Sequence, residues 1–295
     1  ELEQPGKTEL PPKPKWAWTI VDGLTAGAIL LPNGSAVAAS IYHDTKDRVT
    51  VVIEWDTEDG GLNASKDLRI GSIVLKSVPL SDPDPSHMQQ AISDAIKKEG
   101  RTLLDWNEDV EQLQNRVGCP RKWRPSDGWS DYSTDTLLLT NEEWLGPYLN
   151  DVKKPHELKK INLVEVLTHA MDYDRQQELN RLAPARMEVP SGSNIKIMYR
   201  DNGEAPVLAA RIQELFGMAE TPTVNDGKQP LLIHLLSPGF KPVQVTSDLK
   251  NFWNETYFEV RKDLKGRYPK HRWPEEPWSE VASLKTKNAF SKSGG

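Results

Sequence analysis

The chain has 295 residues, 37% of them hydrophobic and 7% aromatic, with a formal net charge of −6. That length holds about two or three small domains, and that apolar share excludes a disordered chain. The negative balance excludes a surface that is basic throughout, so any contact with RNA or DNA needs a local basic patch.

Residues 1–15 are polar and proline-rich and are expected to be a linker, without the apolar stretch of a secretory signal. From Trp16 the pattern becomes β: Trp16, Trp18 and Ile20 alternate with smaller residues. Two apolar runs, Ala28 to Leu31 and Ala36 to Tyr42, flank Asn33-Gly34, a strong hairpin signal. After a turn at Asp44 to Asp47, Val49, Val51, Ile53 and Trp55 alternate again, and Arg69 to Leu75 predicts one more strand. Residues 16–81 therefore read as an antiparallel β module, a small barrel or a strongly twisted sheet.

Residues 82–183 read as helical. Asp84 caps and Pro85 opens a helix with Met88, Ala91, Ile92, Ala95 and Ile96 on one face, ended by Gly100. Asn107 caps a second, with Val110, Leu113 and Val117 inward, and Pro120 to Tyr132 is expected to be a loop. Thr140-Asn141-Glu142-Glu143 has the form of a capping box, and further helices are predicted over Leu163 to Ala170 and Asp174 to Leu182.

Residues 184–277 are predicted to form an α+β layer of order ββαββα on an antiparallel sheet. Arg186 to Val189 and Ile195 to Tyr199 give the first strands. A helix follows from Pro206, with Leu208, Ile212, Leu215 and Phe216 inward and Gly217 as its stop. Leu231 to Leu236 is a strand, Ser237-Pro238-Gly239 a turn, and Val243 to Thr246 the return strand. One long helix capped by Ser247 or Asp248 carries Leu249, Phe252, Trp253, Thr256, Tyr257, Val260 and Leu264 at helical spacing, with Gly266 as its stop. Residues 278–295 are expected to be a mobile tail.

Most catalytic chemistry lacks its signature. The chain has no phosphate-gripping G-x-x-x-x-G-K-[ST] loop and no DEAH-type acid box, so the groups that hold ATP phosphates and magnesium are missing. His169, Asp172 and Asp174 lie close in sequence, but solvated acids at a helix end explain them; His234 reads as a hydrogen-bonded core histidine. Asp105, Glu108 and Asp109 suit a helix start through its dipole. Cys119, the single cysteine, excludes an internal disulfide and fits an intracellular, reducing compartment, cytoplasmic or organellar. Arg116, Arg121 and Lys122 nearby favour a lowered thiol pKa, and burial favours an inert one. No catalytic residue, cofactor or metal is expected in this chain. No apolar run reaches the ~20 residues that span a bilayer, so no membrane partner is expected either.

The stretch with a binding pattern is Arg261 to Trp273. Arg261, Lys262, Lys265, Arg267, Lys270 and Arg272 face a single acid, Asp263, with Tyr268, His271 and Trp273 interleaved. Cations neutralise phosphates, and flat rings stack on unpaired bases. The competing explanation is a solvated helix C-terminus whose rings pack the exit, and Glu275 and Glu276 weaken the field.

Four stretches carry a family resemblance: LAPARMEVPSGS (182–193), PVLAARIQELFGMAETP (206–222), LLIHLLSPGFKPVQVTSDLKNFW (231–253) and KGRYPKHRWPEEP (265–277). They resemble the C-terminal region of HrpB-type ATP-dependent helicases of the DEAH/RNA-helicase-A group. RIGSIVLKSVPL (69–80) and TNEEWLGPYL (140–149) are similar to the same proteins, so the resemblance spans about residues 48–277. It implies an OB-like β module beside the RNA path, a helical region and a family-specific C-terminal extension. The RecA-like motor domains that hold ATP and magnesium lie outside these motifs, and no catalytic residue transfers to this sequence. The resemblance makes this a non-catalytic accessory region, with helicase motor domains, in cis or in trans, and RNA as expected partners. A protein-binding module docking through exposed tryptophans is the alternative.

Overall fold

A computed structural model describes residues 16–21, 24–30, 36–42, 49–56, 61–70, 73–81 and 83–283. The chain divides into two units, residues 1–100 with 146–158, and residues 101–145 with 159–295. The expected linker (1–15), the Asn33-Gly34 and Asp44 to Asp47 turns and the end of the tail (284–295) lie outside the described residues.

The first unit holds two antiparallel three-stranded meanders. β1 (Trp16–Val21), β2 (Leu24–Leu30) and β3 (Ala36–Tyr42) form one, with Leu30 opposite Ala36 across the expected hairpin. β4 (Val49–Asp56), β5 (Gly61–Ile70) and β6 (Ile73–Pro79) form the other. The single strand predicted over Arg69 to Leu75 is instead the end of β5 and the start of β6, paired Ile70 to Ile73. Lys66 breaks the alternation of Leu62, Ala64, Leu68 and Ile70 in β5, and its pairing on both sides holds it extended. Helix α1 (Pro85–Glu99) starts as predicted, with the Asp84 carboxylate accepting from the Ser86 N–H, and packs on β4 and β5. A short helix, α2 (Pro155–Leu158), completes the unit.

In the second unit, α3 (Glu108–Trp123) is capped by Asn107, with Val110, Leu113 and Val117 buried. It runs through Pro120, correcting the predicted loop. The last turn is held from outside: Trp123 Nε1 donates to the Gly203 carbonyl at 2.9 Å, and Arg124 N closes on the Pro120 carbonyl at 2.8 Å. α4 (Thr134–Leu139) precedes α5 (Asn141–Leu145). The capping box at Thr140 does not form, because its hydroxyl donates back to the Thr136 carbonyl at 2.9 Å as the end of α4. α6 (Leu163–His169) and α7 (Tyr173–Leu182) stand close to their predicted bounds.

A five-stranded sheet of order β13-β12-β9-β8-β7 follows. Its strands are β7 (Arg186–Glu188), β8 (Asn194–Met198), β9 (Val207–Arg211), β12 (Leu232–Leu236) and β13 (Pro242–Thr246); β10 (Thr223–Val224) and β11 (Gln229–Pro230) make a separate small hairpin. Two expectations are corrected. The helix predicted from Pro206 is strand β9 and a 3-10 turn at Ile212–Glu214, and the sheet is mixed, since β9 and β12 run parallel. The order ββαββα therefore does not hold. Leu208 explains why: it is fully buried and sits opposite both Ile197 and Ile233, in the middle of the sheet. Pairing on both sides overrides the helical preference of Leu and Ala in a short apolar run. Mixed α+β content is the fold class that stands.

Candidate functional site

The site is built on the last helix. Asp248 caps it, accepting from Asn251 N at 2.9 Å, and α8 (Leu249–Asn251) passes through a π turn (Phe252–Thr256) into α9 (Tyr257–Arg267). The expected long helix is thus interrupted, with the Tyr257 N–H bonded to the Phe252 carbonyl. A regular helix points consecutive residues about 100° apart; the wider turn accompanies burial of both Phe252 and Trp253. These two, with Phe216 and Tyr257, form one aromatic cluster, Trp253 and Tyr257 meeting edge-on at 5.3 Å and 79°. Trp253 Nε1 donates to the Met218 carbonyl at 2.8 Å, which satisfies its one polar atom. The helix passes Gly266 by one residue and closes where Tyr268 N reaches the Leu264 carbonyl at 2.7 Å.

The exit after α9 folds back over this cluster. Trp273 is only 5% exposed, and its Nε1 donates to the Tyr268 carbonyl at 3.0 Å. Arg261 Nε donates to the Trp273 carbonyl at 2.9 Å, and its other arm meets Glu275 at 3.1 Å. The Tyr257 hydroxyl donates to the Pro274 carbonyl at 3.1 Å, and burial raises its pKa. Gly217 N reaches the Pro277 carbonyl at 2.8 Å; Arg272 pairs with Glu280 and donates to the Val281 carbonyl at 3.3 Å. Tyr268 lies against the β12–β13 turn, its hydroxyl 3.2 Å from Ser237 Oγ. A Cβ at Gly239 would stand 2.9 Å from that hydroxyl, so a larger residue there would have to displace the Tyr268 ring tip.

The nine predicted residues therefore separate by position. Arg261, Arg272 and Trp273 are committed to the exit's own fold. Lys262, Lys265, Arg267 and Lys270 are exposed, and of these only Arg267 has an ion pair among the described residues, with Asp263 at 3.0 Å. Tyr268 and His271 are half-buried with their rings edge-on at 6.3 Å. Burial, and then the charge of Arg211, depress the His271 pKa, which leaves the ring neutral at pH 7.

Two neighbours escaped the sequence reading. Phe240, in the β12–β13 turn, is 64% exposed with a left-handed φ of 61°. Arg211, at the end of β9, lies over its ring with the guanidinium carbon 4.6 Å from the centroid. Glu214 holds Arg211 there, accepting from its backbone N at 3.0 Å and its Nε at 3.1 Å. The available signal was an aromatic at a turn position where glycine or asparagine is usual.

The other candidates resolve simply. Cys119 is fully buried, and burial pushes its thiol up to about 12. Asp172 caps α7 by accepting from Arg175 N at 2.8 Å. With Asp127, Asp174 and Glu178 it borders a depression of about 630 Å³, where Arg175 and Arg181 both pair with Glu178. No group of three metal-ligating side chains occurs among the described residues. His234 is not a hydrogen-bonded core residue. It is half-buried on the sheet's second face, opposite Val245 and Ala209, because β12 buries Ile233 and Leu235 instead. Among the described residues no helix is long and apolar enough to cross a membrane. Of the tryptophans from Trp106 onward, Trp129, Trp144, Trp253 and Trp273 are buried and Trp106, Trp123 and Trp278 are half-buried.

A family profile described as ATP-dependent helicase C-terminal matches residues 144–277, and another, ATP-dependent RNA helicase HrpB, connector region, matches residues 49–80. The chain matches the C-terminal region of HrpB-type helicases. It is 39% identical over 235 residues to the ATP-dependent RNA helicase HrpB of Escherichia coli (strain K12), an alignment covering 80% of this chain and 29% of that HrpB. The crystal structure of E. coli DExH-box NTPase HrpB superposes with a TM-score of 0.69 at 36% identity, over 84% of this chain and 32% of that one. The crystal structure of Escherichia coli DEAH/RHA helicase HrpB gives 0.61 at 37%, over 79% and 30%. The chain thus spans less than a third of the HrpB relatives it matches.

Proposed function

We propose that this chain is a non-catalytic accessory region of an HrpB-like RNA helicase, which guides a nucleic-acid strand beside the motor domains. The observation that carries the nucleic-acid part is the separation of the cations. Arg261 and Arg272 are consumed in holding the exit, while Lys262, Lys265, Arg267 and Lys270 remain at the surface. Lysines without acidic partners are free to neutralise phosphates, and each releases counterions when it does. ATP and magnesium belong, on this reading, to motor domains in cis or in trans. The two antiparallel meanders of the first unit support an OB-like module, and the boundaries at 81, 183 and 277 remain part of the proposal.

Fluorescence anisotropy with a labelled single-stranded RNA, at low and high salt, tests it. The wild-type chain binds at low salt and loses affinity as salt rises, and K262E/K265E/R267E/K270E abolishes binding without lowering Tm. Absence of binding at low salt, or binding indifferent to the four reversals, refutes the nucleic-acid role.

A further inference from the structure

The predicted stacking residue, Trp273, is buried, yet the surface beside the exit presents another ring. Phe240 is 64% exposed in a left-handed backbone conformation. Both features work against stability: an L side chain with a Cβ is strained at that φ, and a phenyl ring left mostly exposed gains little from burial. A glycine would satisfy the turn without either cost. An outlier of this kind points to a use outside the fold.

The surroundings indicate which use. Arg211 covers one face of the ring, fixed by the buried carboxylate of Glu214 at 3.1 Å. With most of the residue exposed, the opposite face is open to solvent. Lys241 follows directly in sequence and is exposed. Tyr268, packed on the same turn, brings the exit alongside, and Lys270 lies two residues further on. His271 is close enough to Arg211 to feel its charge. A flat apolar face with Arg211 behind it and the exposed Lys241 next in sequence fits a nucleobase with its phosphate better than an apolar protein side chain, which would leave the lysine unpaired.

We infer that Phe240, backed by Arg211, is a stacking platform for one unpaired base of a single-stranded nucleic acid whose phosphates lie along Lys241, Lys270 and the exposed cations of α9. This rests on the nucleic-acid reading above and adds to it the contact that distinguishes single strands from duplex.

The test uses the whole 295-residue chain with Phe240→Gly and Phe240→Tyr, and single-stranded RNA carrying 2-aminopurine, whose fluorescence is quenched by stacking. Phe240→Gly relieves the backbone strain, so its Tm is expected to equal or exceed that of the wild type, which separates lost binding from lost folding. Its affinity for single-stranded RNA falls by about fivefold to a hundredfold, the range for one base–aromatic stack, and the quenching disappears. Phe240→Tyr keeps both, and weak binding to duplex RNA is the same for all three proteins. If the wild type binds RNA and the four charge reversals abolish this, but Phe240→Gly binds as tightly as wild type, the stacking platform is overturned while the nucleic-acid reading stands. The ring then belongs to a protein contact. If the wild type binds no RNA at low salt, both fall together.

Discussion

Arg261 and Lys262 are adjacent cations with opposite assignments, and Arg261→Ala tests the difference. Arg261 donates to the buried Trp273 carbonyl at 2.9 Å and pairs with Glu275 at 3.1 Å; its side chain is 21% exposed and that of Glu275 82%. A hydrogen bond from a charged donor contributes about 1.5–3 kcal/mol, and its loss leaves a buried carbonyl unpaired. The Glu275 pair adds under about 1 kcal/mol, since one partner is in solvent. We expect Arg261→Ala to destabilise this unit by about 2–3 kcal/mol. That corresponds to a Tm shift of roughly 4–12 °C for a unit of this size, read by tryptophan fluorescence because Trp273 loses its cover. Lys262→Ala, on an exposed position, should change stability by less than about 0.5 kcal/mol. Equal stabilities for the two variants would refute the assignment of Arg261 to the fold.

Three further outcomes follow from named contacts. Trp253→Ala, which empties a site only 1% exposed and frees the Met218 carbonyl, should cost about 3–5 kcal/mol in urea denaturation. Cys119, buried with a thiol raised to about 12, should resist a thiol reagent at pH 8.5 in the native chain and react fully in denaturant; native labelling at the unfolded rate would contradict its burial. His271 has a depressed pKa in the folded state, so the unfolded chain binds the extra proton first. Its contribution to stability is complete above the unfolded value near 6.5 and is lost as pH falls through the lower folded value. Thermal scans between pH 7.5 and 5 should show this loss, and His271→Gln should remove that share of it.

Where one period dominated a stretch, the elements were legible from residues alone. Asp84-Pro85 and Asn107 cap helices whose buried residues include Met88, Ile92, Ala95 and Ile96, and Val110, Leu113 and Val117. The β12–β13 hairpin and the aromatic face of the last helix were equally visible. Three features were not, each for a physical reason. Val207 to Ala210 satisfies both a helical and an extended pattern, and only its two partner strands decide between them. In β5 Lys66 breaks the alternation of Leu62, Ala64, Leu68 and Ile70, and Pro120 stays helical because of contacts made some 80 residues away. At the site, composition found the cations but could not assign them. Whether an arginine faces a phosphate or a carbonyl depends on where the chain folds back, as Arg261 and Trp273 show. The Arg211–Phe240 pair joins the end of β9 to the β12–β13 turn, distant in sequence, so no local motif announces it.

The most direct test of the central claim is the salt dependence of single-stranded RNA binding by the wild type and by K262A/K265A/R267A/K270A. Each phosphate contact contributes about −0.7 to the slope of log K against log salt, so the four substitutions should flatten it by about 3. Identical slopes for the two proteins would contradict the claim that these exposed cations hold the strand.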